Sequence, residues 1–281
     1  MDKEIDIFFD VDYTVLDFEP AHRRAIALLG EKYGQAFAKE FKNIFDIVLE
    51  GKRVKDDVWT AVPGGRHAYE QTVSQLQALT QHQKPFIWSR ELHAALAGKR
   101  VQRTLSPEQS VEAAEIYWTG IRNYGRPFSD TQALINHLDS QSIGYHLFSS
   151  SDFRLKSHSG TWQYDPEYSA SRKMERMTEL RHFGIKPESI TIGDPVDKPE
   201  PAFYAKMLRI ASEAVKKTIE PQQSIIVGDS YVVDVQVPVQ QLHFLRGYWL
   251  RRGEKSAQLS ENIFSISSLE EIIQHINALS S

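Results

Sequence analysis

The feature of this 281-residue chain that most restricts its fold is a set of short apolar runs, each ending in a polar cluster. Three stand out: IDIFF (residues 5–9) before Asp10, GYHLF (144–148) before Ser149, and SIIVG (224–228) before Asp229. SITIG (189–193) is a fourth, the FLRGYWL region (244–250) a fifth, and NIFSI (262–266) a further candidate for an edge strand. Short apolar runs of this kind read as strands buried on both faces of a parallel sheet. Helical patterns separate them. Residues 131–139 are amphipathic, with Ser129 placed as an N-cap, and residues 201–211 carry Phe203, Met207, Leu208 and Ile210 at helical spacing. The sequence Ser268-Leu-Glu-Glu271 has the form of a capping box ahead of Ile272, Ile273 and Ile276. Alternation of this kind predicts an α/β domain with a doubly wound, Rossmann-like parallel sheet.

One interval interrupts the alternation. Residues 19–124 show helical periodicity and few strand signals. Within them, Ser106-Pro107-Glu108-Gln109 is a strong helix start, followed by Val111, Ala114, Tyr117, Trp118 and Ile121 on one face. The expected organisation is therefore a core made of residues 1–18 and 125–281, with residues 19–124 inserted as an α-helical cap. Residues 156–171 lack a clear period and read as a surface loop or flap, its Trp162, Tyr164 and Tyr168 serving local packing. Arg53, Arg66, Arg90 and Arg122 read as solvated helix faces. His82, His93 and His158 lack metal-ligand spacing and read as surface or packing residues.

Composition narrows the classes of function. Hydrophobic residues make up 41% and charged residues 25%, as in soluble globular proteins. A net charge of −4 argues against a nucleic acid or an anionic membrane as a partner held by bulk charge. The chain has no cysteine, which excludes disulfides, thiolate nucleophiles and Cys-based zinc sites. The start MDKEIDIFFD lacks the features of a signal peptide, and no apolar run approaches the length of a membrane span. A soluble cytoplasmic protein is expected.

In open α/β sheets, ligands bind outside the carboxyl ends of the strands. There this chain offers Asp10, Asp12 and Thr14, then Ser149, Ser150 and Ser151, then Asp229, Ser230 and Asp234, with Lys198 in DKPEPAFY (197–204). Three carboxylates, Asp10, Asp12 and Asp229, suit a hard divalent cation, Mg²⁺ above all. Ser149 and Lys198 are suitable donors to phosphate oxygens. A carboxylate beside a cation and an ammonium stays ionised and can attack phosphorus. A second carboxyl two residues on can protonate the leaving oxygen and then activate water. Asp10 and Asp12 are the nucleophile and the general acid in this reading.

Taken in order, these motifs resemble the four signatures of the haloacid dehalogenase (HAD) superfamily. Asp10-Val-Asp-Tyr-Thr-Val-Leu16 is similar to the first, Ser149 closing an apolar strand to the second, Lys198 in KPEP to the third, and Gly228-Asp-Ser-Tyr-Val-Val-Asp234 to the fourth. The resemblance implies an aspartyl-phosphate on Asp10 and general acid/base work by Asp12. It implies Mg²⁺ held by the Asp10 and Asp229 side chains and the Asp12 backbone carbonyl. Ser149, Ser150 and Lys198 would bind the substrate phosphate, with Thr14, Ser230 and Asp234 in support. The dehalogenase branch typically lacks the second aspartate, so Asp12 favours phosphoryl transfer. Ser150 stands where relatives often have asparagine. Gly193-Asp194 mimics the fourth signature but precedes the lysine. The expected function is a Mg²⁺-dependent phosphatase of a small phosphorylated metabolite. A phosphomutase of the same superfamily and a non-catalytic phospho-ligand-binding relative are the alternatives.

Overall fold

A computed structural model describes residues 5–53, 59, 63–80 and 86–279. In chain order the elements are β1 (Asp6–Asp10), β2 (Leu16–Asp17), α1 (Phe18–Tyr33), α2 (Gln35–Arg53), α3 (Gly65–Gln77), α4 (Arg90–Arg100) and α5 (Pro107–Tyr124). Then come β3 (Arg126–Pro127), α6 (Ser129–Ser140), β4 (Tyr145–Ser150), β5 (Leu155–His158), β6 (Thr161–Tyr164), α7 (Pro166–Thr178) and β7 (Ser189–Gly193). The chain continues through α8 (Pro201–Val215), β8 (Ser224–Gly228), α9 (Val237–Leu242), β9 (Arg246–Leu250), β10 (Ala257–Gln258), β11 (Ile263–Ile266) and α10 (Glu270–Leu279). No helix among the described residues is long and apolar enough to cross a membrane.

Among the described residues, seven strands form one sheet in the order β10-β11-β9-β8-β1-β4-β7. All neighbours are parallel except β10 and β11. The chain is thus α/β, and the buried apolar runs form its parallel strands, as their composition predicts. The stretch 262–266 forms β11, which lies inside the edge because the two-residue β10 pairs along its outer side. Residue Ser129 is the first residue of α6 and not its cap; Phe128 takes that place without a side-chain bond. Behind the sheet, Phe8, Phe148, Ile226, Phe203, Met207 and Phe244 share one apolar cluster.

The chain divides into two compact units. One comprises Met1–Asp17, Arg126–Ser150 and Met174–Ser281, and contains the sheet; the other comprises Phe18–Gly125 and Ser151–Lys173. Residues 151–173, which lie within the expected core segment, thus group with the helical unit, and the last crossing lies inside α7. Ion pairs within the helical unit account for this. The Arg154 guanidinium, only 3% exposed, donates to Glu91 Oε1 at 2.8 Å and pairs with Glu115, which also accepts from Arg172 at 2.8 Å. Nor is this stretch an irregular flap: β5 and β6 make an antiparallel hairpin, and α7 follows. Its Tyr164 ring lies 4.8 Å from that of Phe86, so the aromatics do pack locally.

In the helical unit, Phe37, Phe41 and Phe45 recur every fourth residue on α2 and are buried. Ser106 and Gln109 cap α5 reciprocally, as their spacing predicts. Gly120 lets α5 approach α1 closely, since a Cβ there would lie 2.7 Å from Ala25 Cα. Arg90 departs from expectation. Instead of lying on a solvated face, it is buried with its guanidinium 4.6 Å from the centre of the Phe45 ring and 5.5 Å from those of Tyr117 and Trp118. Stacking on aromatic faces and a bond to the Trp88 carbonyl offset its desolvation. His93 is buried packing and His22 bonds Tyr117 Oη at 2.8 Å; burial, aided by Arg90, pushes the His22 imidazole down to about 3. Arg66 bonds Glu70 on an exposed helix face, and Arg122 and His158 are exposed. The Arg53 side chain and His82 lie outside the described residues.

Candidate active site at the carboxyl end of β1

The site is built within the sheet-bearing unit. Strand β1 is central, with β8 on one side and β4 on the other, so strand order reverses beside it. Connections there leave the sheet in opposite directions and open a crevice at the strand ends. Asp10 ends β1 opposite Phe148 of β4, which places Ser149 one residue further along the neighbouring strand. Both are buried. Ser150, half-buried, closes β4 opposite Gly193 of β7. On the other side β8 ends at Gly228, and Asp229 follows, its carbonyl held by Trp249 Nε1 at 3.0 Å.

Lys198 arrives from the loop ahead of α8. Its ammonium is fully buried and donates to Asp10 Oδ1 and to Asp234 Oδ1, each at 2.7 Å. Burial alone would push this ammonium down, but Asp10 and Asp234 outweigh it and hold the group well above its ordinary value. Lys198 is therefore a fixed positive charge at any physiological pH.

Asp234 sits on a turn of π-helix at Tyr231–Gln236. Its Oδ2 accepts from the Ser230 backbone N–H at 2.9 Å, and its own N–H donates to the Ser230 carbonyl at 2.8 Å. Gly228 makes room for it, since a Cβ at that position would come within 2.3 Å of Asp234 Cβ. Ser230 thus acts through its backbone, and Asp234 joins the site itself instead of merely starting a helix.

Carboxylate oxygens of Asp10, Asp229 and Asp234 lie within 4.8 Å of one another. Three carboxylates against the one Lys198 ammonium leave two negative charges among these groups, the complement of a divalent cation. An all-oxygen donor set of this charge fits Mg²⁺. The trio differs from the three carboxylates expected from sequence, because the Asp12 side chain is engaged elsewhere. Arg176 Nη1 donates to Asp12 Oδ1 at 2.6 Å and Nη2 to Oδ2 at 2.9 Å, a two-pronged pair. Thr14, buried, supports the loop through its backbone: its N–H donates to the Val11 carbonyl and its carbonyl accepts from Arg252.

Sequence reasoning missed Arg176. Its helix, PEYSASRKMERMT, looks polar throughout, but Ser169, Lys173, Arg176, Met177 and Leu180 are buried at helical spacing along and just beyond it. The period is present, but three of these five side chains are polar, which an apolar pattern search does not register.

A family model described as haloacid dehalogenase-like hydrolase matches residues 7–238. The chain belongs to this family of hydrolases. Among solved structures it is similar to the putative HAD-hydrolase YfnB of Bacillus subtilis, bound to magnesium, at 15% identity over 97% of this chain and 98% of that one, with a TM-score of 0.60. It is also similar to a putative β-phosphoglucomutase of Thermotoga maritima (14% identity, 98% and 99% covered, TM-score 0.56). A third similar structure is 2-haloacid dehalogenase of Pseudomonas syringae pv. tomato DC3000 (15% identity, 98% of each chain, TM-score 0.52). At these identities the likeness is one of fold. No curated protein sequence matches the chain.

Proposed function

We propose that this hydrolase is a Mg²⁺-dependent phosphatase that cleaves a small phosphomonoester through an aspartyl-phosphate on Asp10. The observation that carries the reading is the buried Lys198 ammonium held between Asp10 and Asp234, with Asp229 alongside. In the first half-reaction, an Asp10 oxygen forms a bond to phosphorus while the bond to the ester oxygen breaks. Asp12, carrying the proton it takes from water in the preceding turnover, delivers it to that departing oxygen. In the second, Asp12 takes a proton from water, the water oxygen attacks phosphorus, and inorganic phosphate leaves with Asp10 regenerated. Lys198 keeps Asp10 ionised and offsets charge on the phosphoryl oxygens, and Ser149 and Ser150 would supply further donors to them. Asp10, Asp229 and Asp234 would hold Mg²⁺, which when bound supplies two further positive charges against the phosphoryl group.

The presence of Asp12 favours this reading over dehalogenation, which attacks carbon and needs no leaving-group acid. Release of inorganic phosphate from an aryl phosphate and a metabolite panel, with Mg²⁺ and with a chelator, tests it. Turnover in Mg²⁺ that a chelator abolishes is the expected result. A protein that releases no phosphate from any of these esters in Mg²⁺ overturns it.

A further inference from the structure

We propose that Arg176 is the positioning residue of this site and acts on the reaction through Asp12. The inference rests on the phosphatase reading above, in which Asp12 moves the proton. Its support is the division of labour among the cations. Lys198, a compact point charge, is shared between two carboxylates, Asp10 and Asp234. Arg176 places both prongs of its guanidinium on one carboxylate, Asp12. A planar fork of this kind constrains the orientation of the carboxylate plane as well as its distance, which an ammonium cannot do.

The backbone around Asp12 leaves the side chain as the remaining freedom. Val11 C=O accepts from the N–H groups of Thr14, Val15 and Leu16, while Tyr13 N–H donates to the Leu16 carbonyl. Tyr13 holds a left-handed φ of 68°, and Asp12 bridges to Leu16. The main chain is thereby tied into one compact turn. The terminal torsion of an aspartate, by contrast, is broad and two-fold, so an untethered carboxylate samples many planes. Arg176 removes that sampling. It sits on α7, in the part of the helix that belongs to the sheet-bearing unit, and its side chain is only 7% exposed while that of Asp12 is 21% exposed. Stability alone does not account for such a pair, because desolvating both ions cancels much of their attraction. Orienting the ionised carboxylate that must take a proton from the attacking water does account for it, since a misplacement of about 1 Å can cost about 10²-fold in rate.

A double-mutant cycle on the full chain tests the inference, using aryl phosphates of graded leaving-group acidity with Mg²⁺ present. Arg176→Ala is expected to lower kcat about 10²-fold with KM changed less than about threefold, the loss being the same for all leaving groups whose turnover is limited by hydrolysis of the aspartyl-phosphate. In an Asp12→Asn background the same substitution is expected to cost nothing further, because residues acting as a unit are not additive. Added guanidinium should restore part of the Arg176→Ala rate, and none where Asp12 is already replaced. Arg176→Lys, which keeps the charge and loses the fork, should resemble the alanine variant while keeping the wild-type melting temperature. A full Arg176→Ala penalty persisting in Asp12→Asn overturns the proposal, as does a raised KM at unchanged kcat, which would place Arg176 on the substrate. Wild-type protein without turnover would sink the phosphatase reading and this inference together, an outcome distinct from an active enzyme whose cycle is additive.

Discussion

Asp6 and Asp10 end the same buried strand, and each has a lysine. Lys217 Nζ lies 3.3 Å from Asp6 Oδ2, and Lys198 Nζ lies 2.7 Å from Asp10 Oδ1. At the amino end the charges reach water: the Lys217 side chain is 38% exposed and that of Glu188, near His146, 42%. There His146 Nε2 stands 3.4 Å from Asp6 Oδ1, and its Nδ1 2.9 Å from Ser189 Oγ. A carboxylate only accepts, so Nε2 carries the proton toward Asp6, and in the neutral ring Ser189 donates to Nδ1. At the carboxyl end the ammonium is sealed from solvent among carboxylates that outnumber it. At the amino end the acids and Lys217 are screened by the water that reaches them. At the other, the carboxylates of Asp10, Asp229 and Asp234 outnumber the Lys198 ammonium, which suits a divalent cation. The difference lies in the surroundings of the two aspartates, since the residue type is the same.

The sharpest way to break this comparison is to neutralise each aspartate in turn. Asp10→Asn removes the proposed nucleophile and is expected to lower phosphate release by at least about 10³-fold, whereas Asp6→Asn should leave kcat within about twofold. Initial rates on one aryl phosphate decide it; equal losses would erase the distinction between the two ends. Next in size is the contrast between the lysines. Lys198→Met leaves Asp10 and Asp234 buried without their shared cation, at a cost of about 3–5 kcal/mol in metal-free protein. Lys217→Met, at a solvent-screened pair, should cost no more than about 1 kcal/mol. Urea unfolding with and without Mg²⁺ measures both, and Mg²⁺ should recover part of the Lys198→Met loss only.

The smallest expected effect is one of pH. Burial pushes the Asp6 carboxyl up, but the His146 bond and the Lys217 charge outweigh it and hold the group below its ordinary 3.8. A carboxyl depressed in the folded state stabilises the fold fully above its unfolded value. That contribution is lost as pH falls through the lower folded value. Acid unfolding of Asp6→Asn should accordingly show a weaker pH dependence below about pH 4, while the neutral-pH stability difference stays near 1 kcal/mol. An unchanged acid slope would mean that His146 and Lys217 do not hold Asp6 ionised.

Strand ends were legible because each announces itself locally. The runs before Asp10, Ser149 and Asp229 are predominantly apolar, and a polar cluster follows each at the end of its strand. Asp234 was harder to weigh. In the sequence it is an acid in the first turn of a helix, and only the close packing of its side chain against Gly228 brings it to Lys198. Residues 156–171 gave no period because the segment contains two four-residue strands and the start of a helix, each too short to show one. Their attachment to the helical unit runs through Arg154, Glu91 and Glu115, charged residues whose burial no hydropathy pattern announces.

By itself the sequence determined the kind of sheet and the order of the polar strand ends along the chain. These follow from short-range alternation of apolar and polar residues, which is a local property. Tertiary structure alone decided which cation serves which acid. Arg176 meets Asp12 across 164 positions and Lys198 meets Asp10 across 188, and such pairings depend on how far each charge is removed from water once the chain has closed around it.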